Sequence, residues 1–275
     1  MSLRIQNNIA ALNAHKNLTI SDNGLSKSLE RLSSGYRINR AADDAAGLAI
    51  SQGMRADIAS YKVASRNVSE ANAMVQVAEG AYDQIGNMLV RLKELATQAA
   101  SANAGNDRDK IDAEAQALLG EIDRISNATE YAGAKLLDGT LGDQTFQVGS
   151  ANNTFSRIEV SFAEVSTTSL TINGLDLDTG DATGAQAALE SVDTAINNLN
   201  ISRGNLGAVQ NRLGYAAANL STTIENVQAA ESVIRDVDMA AEMTTFTKNQ
   251  ILLQAGTAML AQANMAPQVV LSLFG

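Results

Sequence analysis

The stretch VQVAEGAYDQIGNMLVRLKELATQA, residues 75–99, decides the fold. Its apolar positions follow one another at alternating steps of three and four, so they form one continuous stripe along a helix. These positions are Val75, Ala78, Tyr82, Ile85, Leu89, Leu92, Ala96 and Ala99. The helical pattern reaches back to about residue 45, which predicts a helix of about 55 residues, roughly 80 Å long. A helix of that length has no core of its own and needs partner helices along its stripe.

Two further segments repeat the pattern and supply those partners. After a break at residues 103–107, residues 108–128 show apolar positions at the same steps, at Ile111, Ala115, Leu118, Ile122 and Ile125. Near the other end, an unbroken register runs through Leu199, Ser202, Leu206, Val209, Leu213, Ala216, Leu220, Thr223 and Val227. Three long helices with matching stripes predict a slender bundle that joins the two ends of the chain across its middle.

The middle of the chain has a different pattern. In residues 144–162, Ile158, Val160 and Phe162 alternate with polar residues, and two short runs flank a GSANN turn, which predicts a β-hairpin. Leu170 and Ile172 suggest one more strand. The predicted fold class is therefore mainly α: an elongated coiled-coil or helical bundle of long N- and C-terminal helices with a small β-hairpin cap.

The composition suits long helices and excludes several function classes. Pro267 is the one proline, so little interrupts the helices. His15 is the one histidine and cysteine is absent, so a zinc site or a Cys–His catalytic pair cannot assemble. No glycine-rich phosphate loop occurs. We therefore expect no enzyme activity and no cofactor or metal. The net charge of −10 argues against nucleic acid as a partner.

Both ends of the chain have an apolar and amide-rich character. Near the start, apolar positions of one predicted helical face recur at Ile5, Ile9, Leu12, Leu18, Leu25, Leu29 and Leu32. After Lys248 the last 27 residues carry no charge. Amide side chains throughout that tail, together with Pro267, argue against a membrane span. A solvated helix would carry charges on its outer face, so the tail is expected to be buried among other subunits.

These observations predict a polymerisation surface on the two terminal helices. The residues expected to pack between subunits are Ile5, Ile9, Leu12, Leu252, Met259, Leu260, Leu271 and Phe274. The start of the chain has no apolar run of the kind found in a secretory signal peptide, so export by that route is not expected.

Two long stretches resemble the signatures of a known family. LERLSSGYRINRAADDAAGLAIS, residues 29–51, resembles the N-terminal signature of bacterial flagellins, and residues 240–275 resemble the C-terminal one. RIQNNIAALNAHKNL near the start extends the likeness. In the turn-like part of the first stretch, Asp43 or Asp44 is expected to cap the next helix rather than to bind a cation.

The resemblance implies a domain layout and a set of partners. Residues 1–44 and 236–275 would form the inner helical layer, D0. Residues 45–180, with the β cap, and 181–235 would form the surrounding layer, D1. The family implies an extracellular filament of about eleven protofilaments that serves swimming motility. It further implies the flagellar type III export apparatus, a cytoplasmic chaperone, and the filament cap and hook-associated proteins as partners.

Two alternatives remain at this stage. A hook–filament junction protein shares such terminal helices, and an intracellular coiled-coil adaptor would explain the heptads but not the charge-free ends.

The resemblance also implies a contact for an immune receptor. LVRLKELATQAA, residues 89–100, and AEAQALLGEIDR, residues 113–124, are similar to the flagellin surface recognised by Toll-like receptor 5. Carried over by position, Arg91, Leu95 and Glu114 match the central contacts. Arg91 and Leu95 are four residues apart and share a helical face, offset from the buried stripe.

Overall fold

The computed structural model describes residues 7–101, 107–177 and 182–274, with side chains described through residue 265. The helices are α1 (Ile9–Ser34), α2 (Ala45–Ala99), α3 (Arg108–Ala128), α4 (Ala182–Arg235) and α5 (Met239–Phe274). The strands are β1 (Glu130–Tyr131), β2 (Ala134–Lys135), β3 (Gln144–Gln147) and β4 (Arg157–Val160). The mainly α prediction with a small β-hairpin is confirmed.

The chain divides into two compact units. The terminal unit contains the described residues up to 56 and from 226 onward, and the central unit runs from residue 57 to residue 225.

The central unit has a closed apolar core built on the α2 stripe. All eight predicted stripe positions from Val75 to Ala99 are fully buried. On α4, Leu199, Leu206 and Leu213 are buried at heptad spacing. The positions between them, such as Ser202 and Val209, are half-buried, because a side chain at the edge of the packed face reaches solvent on one side.

The predicted stripe on α3 needs correction at two positions. Leu119 is buried where Leu118 was predicted, and Ser126 is buried where Ile125 was predicted; Leu118 and Ile125 are half-buried. The buried residues Ile111, Ala115, Leu119, Ile122 and Ser126 still follow steps of three and four. Ser126 can lie in the core because its hydroxyl donates to the carbonyl oxygen of Leu137 at 2.9 Å.

The predicted hairpin is confirmed: β3 pairs antiparallel with β4, with Phe146 opposite Ile158. The additional strand at Leu170 and Ile172 is wrong. Both side chains are buried, but residues 166–172 form consecutive turns in which the amide of Leu170 donates to the carbonyl of Ser166 and that of Ile172 to Thr167. Two buried residues at a spacing of two therefore arise here from a turn.

A second hairpin, with two residues in each strand, was not predicted from the sequence. β1 pairs antiparallel with β2 across Ala132 and Gly133, whose φ angles are 51° and 83°. Positive φ at both turn positions is the backbone of the tight turn that matches strand twist. An alanine at the first position gives a weak sequence signal, since Asn or Gly is the usual residue there.

The terminal unit consists of α1 and α5 in antiparallel arrangement, together with the adjoining ends of α2 and α4. Asn8 caps α1 by accepting a hydrogen bond from the amide of Ala11, and Gly35 ends it with a left-handed φ of 75°. Asp44 accepts from the amide of Gly47 at 2.9 Å, so it caps α2 as predicted.

Candidate polymerisation surface

The face on which α1 meets α5 is lined by small and polar residues interspersed with leucines and one phenylalanine. On α1 the least exposed positions alternate at steps of three and four, at Ala11, Ala14, Leu18, Ser21, Leu25, Ser28 and Leu32. On α5 they do the same, at Glu242, Phe246, Asn249, Leu253, Gly256, Leu260 and Ala263. This spacing is that of an antiparallel coiled coil. We call these two sets the terminal seam.

The terminal seam brings the two helices close together along its length. At one end the side-chain Nδ2 of Asn8 donates to the carbonyl of Ala263 at 2.8 Å, and at the other end Arg31 pairs with Glu242 at 3.4 Å. Between them, a Cβ added to Gly256 would lie 3.0 Å from Leu18 Cδ1. The packing is therefore close, but most positions of the seam are only half-buried.

Further large apolar side chains point away from the terminal seam. Leu12 is 65% exposed and Met259 is 64% exposed, and Ile9 and Leu252 are about half exposed. On α5, exposed apolar residues lie on the sides of the helix that face away from the terminal seam, including Met239, Met243, Ile251 and Met265. Patches of this extent on a helix pair are typical of an interaction surface.

The predicted polymerisation residues fall into three groups: exposed, half-buried, and outside the described side chains. Ile9, Leu12, Leu252 and Met259 are exposed and available to other chains, whereas Leu260 is half-buried in the terminal seam. Ile5 lies outside the described residues. The side chains of Leu271 and Phe274 do so too, although their backbone belongs to α5.

The single apolar face predicted for α1 is wrong. Leu18, Leu25 and Leu32 lie in the terminal seam, but Ile9, Leu12 and Leu29 are turned to solvent. The positions between the leucines of the seam are occupied by Ala and Ser, which a search for large apolar residues passes over. α1 therefore carries two apolar faces, one for α5 and one that is open.

The segments that link these helices to α2 and α4 are held by a backbone hydrogen bond, a cation–π contact and an ion pair. The amide of Arg37 donates to the carbonyl of Arg235 at 2.7 Å, and the Arg235 guanidinium lies 4.2 Å from the centre of the Tyr36 ring. Asp43 pairs with Lys27 at 2.8 Å. The hydrogen bond from Lys27, with amide donors at Arg40 and Asn39, lowers the pKa of Asp43 to about 2.

The residues carried over for receptor contact are only partly brought together at the surface. Arg91 pairs with Glu114 at 2.8 Å and with Glu94 at 2.9 Å, and all three side chains are exposed. These carboxylates raise the pKa of Arg91, the bond to Glu94 having the larger effect. Leu95 is only 1% exposed and belongs to the core, so the expectation that it flanks Arg91 on an offset surface is corrected.

The described part of the chain offers no cluster of three or more His, Asp or Glu side chains that could hold a metal. None of its helices, within the same residues, is both long and apolar enough to span a bilayer. A chain with one closed core and, in a separate unit, a helix pair with open apolar faces has the features of a structural subunit that assembles with other chains.

Comparisons with known proteins agree with this class. Residues 5–141 match the model of the bacterial flagellin N-terminal helical region, and residues 189–274 match that of the C-terminal helical region. The chain is 45% identical to a flagellin of Halalkalibacterium halodurans, with 98% of each chain covered. It is 44% identical to a flagellin of Bacillus subtilis, covering 98% of this chain and 99% of the relative.

Among solved structures, the chain is similar to the crystal structure of Bacillus cereus flagellin. The identity is 31%, the TM-score is 0.50, and the match covers 60% of this chain and 94% of that one. The chain belongs to the bacterial flagellin family, whose members are structural subunits of the flagellar filament.

Proposed function

We propose that this chain polymerises into a flagellar filament through the open apolar faces of α1 and α5. In this proposal residues 1–44 and 236–275 form an inner D0 layer, and residues 45–180 and 181–235 form the D1 layer around it. Identical chains joined by non-closing contacts build a helical assembly. The resemblance to flagellins implies that this assembly has about eleven protofilaments around a channel. The filament serves swimming motility.

The exposure of large side chains on the terminal unit carries this proposal. Covering a side chain such as Leu12 or Met259 contributes about 1.5–3 kcal/mol, and the lone chain leaves this free energy unrealised. The tail after Lys248 has no charge that would have to be desolvated on assembly. Both properties favour burial of α1 and α5 among copies of the chain.

Seeded elongation tests the proposal. Leu12→Ser and Met259→Ser should each raise the concentration needed for elongation by about tenfold or more, from the apolar area no longer covered. Asp107→Ser, which removes an exposed ion pair with Lys110, is the control and should elongate normally. Electron microscopy counts the filaments. Normal elongation by both apolar variants would remove these faces from the assembly.

The proposal extends to location and export. An extracellular filament requires that the chain leave the cell, and we propose the flagellar type III apparatus, with a cytoplasmic chaperone covering the apolar C-terminal region meanwhile. The filament cap and hook-associated proteins then meet the assembling chain. Comparing the culture medium of bacteria with and without that apparatus tests this route. Equal amounts of the chain in both media would contradict it.

A second proposal concerns Toll-like receptor 5. The supporting observation is that α2 and α3 place the exposed Arg91 and Glu114 in contact at 2.8 Å, as one charged patch. Arg91→Ala should weaken signalling by the monomer in receptor reporter cells. Lys110→Ala, which removes an exposed basic side chain that is also paired with a carboxylate, that of Asp107, lies outside both receptor-like stretches and is the matched control. Equal signalling by both variants, with their folds verified, would reject the site.

A further inference from the structure

The chain contains the dipeptide Asn–Gly twice, in two different kinds of backbone. Asn23–Gly24 lies inside the helix α1, and Asn173–Gly174 lies in the turns that follow β4. An asparagine followed by glycine is chemically labile, because glycine leaves the following amide nitrogen unshielded by a side chain and the backbone free to rotate. The two settings therefore allow the effect of the backbone to be separated from that of the dipeptide.

Asn173 and Gly174 form the tip of an exposed turn. The amide of Leu175 donates to the carbonyl oxygen of Ile172 at 3.2 Å, which closes the turn with Asn173 and Gly174 as its two central residues. Both central residues are exposed, whereas Ile172 and Leu175 are buried. The turn is therefore anchored at its two ends, and its tip is open to water.

The groups that could react at this tip are unrestrained. In the described part of the chain, the side chain of Asn173 and the amide nitrogen of Gly174 make no hydrogen bond. A Cβ added to Gly174 would meet no atom within 4 Å, so the space around that amide is open. In α1 the amide of Gly24 belongs to the helical hydrogen-bond ladder, and a Cβ added there would lie 2.8 Å from Asn249 Nδ2. The two asparagines therefore differ in both access and freedom.

We propose that Asn173 is a site of spontaneous deamidation, with water as the co-reactant. The amide nitrogen of Gly174 attacks the side-chain carbonyl carbon of Asn173, and the new carbon–nitrogen bond closes a cyclic imide. The bond from that carbon to the side-chain nitrogen breaks, and this nitrogen leaves as ammonia with the proton that the Gly174 amide releases. Water then adds to one of the two imide carbonyls and opens the ring, which gives aspartate or isoaspartate.

The modification changes both the charge and the backbone of this turn. A carboxylate at position 173 adds one negative charge to a chain whose net charge is already −10. Water that adds to the former backbone carbonyl gives isoaspartate, which lengthens the backbone between the buried Ile172 and Leu175 by one methylene group. The hydrogen bond that closes the turn then loses its geometry. The inference is independent of the proposed polymerisation, since it concerns the folded chain itself.

Incubation of the purified chain in water enriched in heavy oxygen tests the site, because each deamidation takes up one oxygen atom from water. Mass spectrometry of the peptides measures the label at each asparagine. The matched control is Glu79→Asn, which places the same dipeptide inside α2, where a Cβ added to Gly80 would also meet no atom within 4 Å. The two sites then differ in backbone rather than in local sequence or in space around the glycine.

Label should enter at Asn173 at least about tenfold faster than at the asparagine introduced in α2, because the helix keeps the attacking amide out of a reactive geometry. The free peptide TINGLDL, residues 171–177, is the positive reference.

Gly174→Ala gives a second test that retains Asn173. Gly174 does not have a positive φ and a Cβ has room there, so the turn should persist, with the fold verified by circular dichroism. The added methyl group should slow labelling by about tenfold, because it crowds the amide nitrogen and restricts backbone rotation. An unlabelled Asn173 beside a labelled free peptide, equal labelling in the turn and in α2, or an unchanged rate in Gly174→Ala would overturn the proposal.

Discussion

Tyr82 carries both apolar packing and a polar bond at a single position. Its ring is fully buried in the central core, and its hydroxyl donates to the carbonyl oxygen of Ala163 at 2.8 Å. Burial raises the pKa of Tyr82 to about 12, because the phenolate would lose its hydration. At neutral pH the residue is a neutral donor that ties α2 to the segment after β4.

Replacing this tyrosine should change the alkaline stability of the chain. A group whose pKa is raised on folding stabilises the fold below its unfolded pKa of about 10, and that contribution is lost as the pH rises toward 12. Tyr82→Phe should cost about 1 kcal/mol at pH 7, through the lost hydrogen bond. Between pH 10 and 12 the difference between the two chains should shrink and then reverse, because a rise in pKa from 10.0 to about 12 outweighs one hydrogen bond. Denaturant unfolding at each pH measures it, and a constant difference would contradict the assignment.

Leu92 tests the buried stripe of the central unit. Leu92→Asp places a charge at a fully buried position and should cost more than about 3 kcal/mol. Val90→Asp, two residues away on the exposed side of α2, should change the free energy of unfolding by about 0.5 kcal/mol or less. Thermal melts of both variants decide the matter. Equal melting points would mean that the stripe is not the core.

At this scale the sequence was a good guide where one periodicity governs burial. All eight predicted stripe positions from Val75 to Ala99 are buried. In a long helix with one packed face, the helical period fixes which positions face the core. The guide failed where two neighbouring apolar residues compete, as at Leu118 and Leu119, and at Leu95, which adjoins the stripe and is buried with it. Assigning a contact residue by its position in similar sequences does not establish that its side chain is exposed in this chain.

Among the elements, the turns after β4, in residues 163–177, are held by side-chain hydrogen bonds to α3. The Asp123 carboxylate accepts from both the amide and the hydroxyl of Thr167, each at 2.8 Å. Gln116 donates to the carbonyl of Leu175 at 2.8 Å. These bonds fix the turns in which Leu170 and Ile172 are buried. A sequence pattern of alternating apolar residues could not distinguish them from a strand, because the bonds join residues far apart in the chain.

Asp123→Asn should loosen this segment. The asparagine side chain has one acceptor oxygen and no charge, so it cannot replace both carboxylate oxygens that accept from Thr167. We therefore expect the free energy of unfolding to fall by about 1–3 kcal/mol. Asp57→Asn, on the exposed side of α2, is the matched control and should be nearly silent. Hydrogen exchange at Thr167 and Leu170 gives the local readout. Unchanged exchange would show that the bonds do not hold the turns.

The helices α1 and α5 differ from the central helices in how much they enclose. Their seam is lined by residues such as Ala14, Ser21 and Gly256, and few of its positions are fully buried. We therefore expect amide exchange in residues 9–34 and 239–265 to be fast in the monomer and slow in the filament. Exchange in residues 64–99 should be slow in both. Equal protection of the terminal helices in monomer and filament would contradict this.

For the whole molecule, the two units should respond differently to truncation. The central unit has its own core, so removing residues 240–275 should leave it folded, with a cooperative thermal transition. The same chain should fail to elongate seeds, because the faces of α5 are gone. Circular dichroism and electron microscopy give the two readouts. A truncated chain that elongates, or that no longer melts cooperatively, would contradict the account.

Assembly through the ends of the chain was easier to predict from the sequence than the exposure of single side chains. The lack of charge after Lys248 and the two signature stretches were enough to indicate assembly through the ends. Which side chains remain open was not predictable, since it depends on how α1 and α5 pair. Leu260 shows this: it is half-buried in the terminal seam, while Met259 beside it is exposed.

A helical reconstruction of the assembled filament is the most direct measurement of the central claim. It would give the exposed fraction of Ile9, Leu12, Leu252 and Met259, four side chains that are exposed in the lone chain. The account predicts that each becomes buried against α1 or α5 of neighbouring copies. If these side chains remain exposed in a filament with ordered terminal helices, then the open apolar faces are not the polymerisation surface.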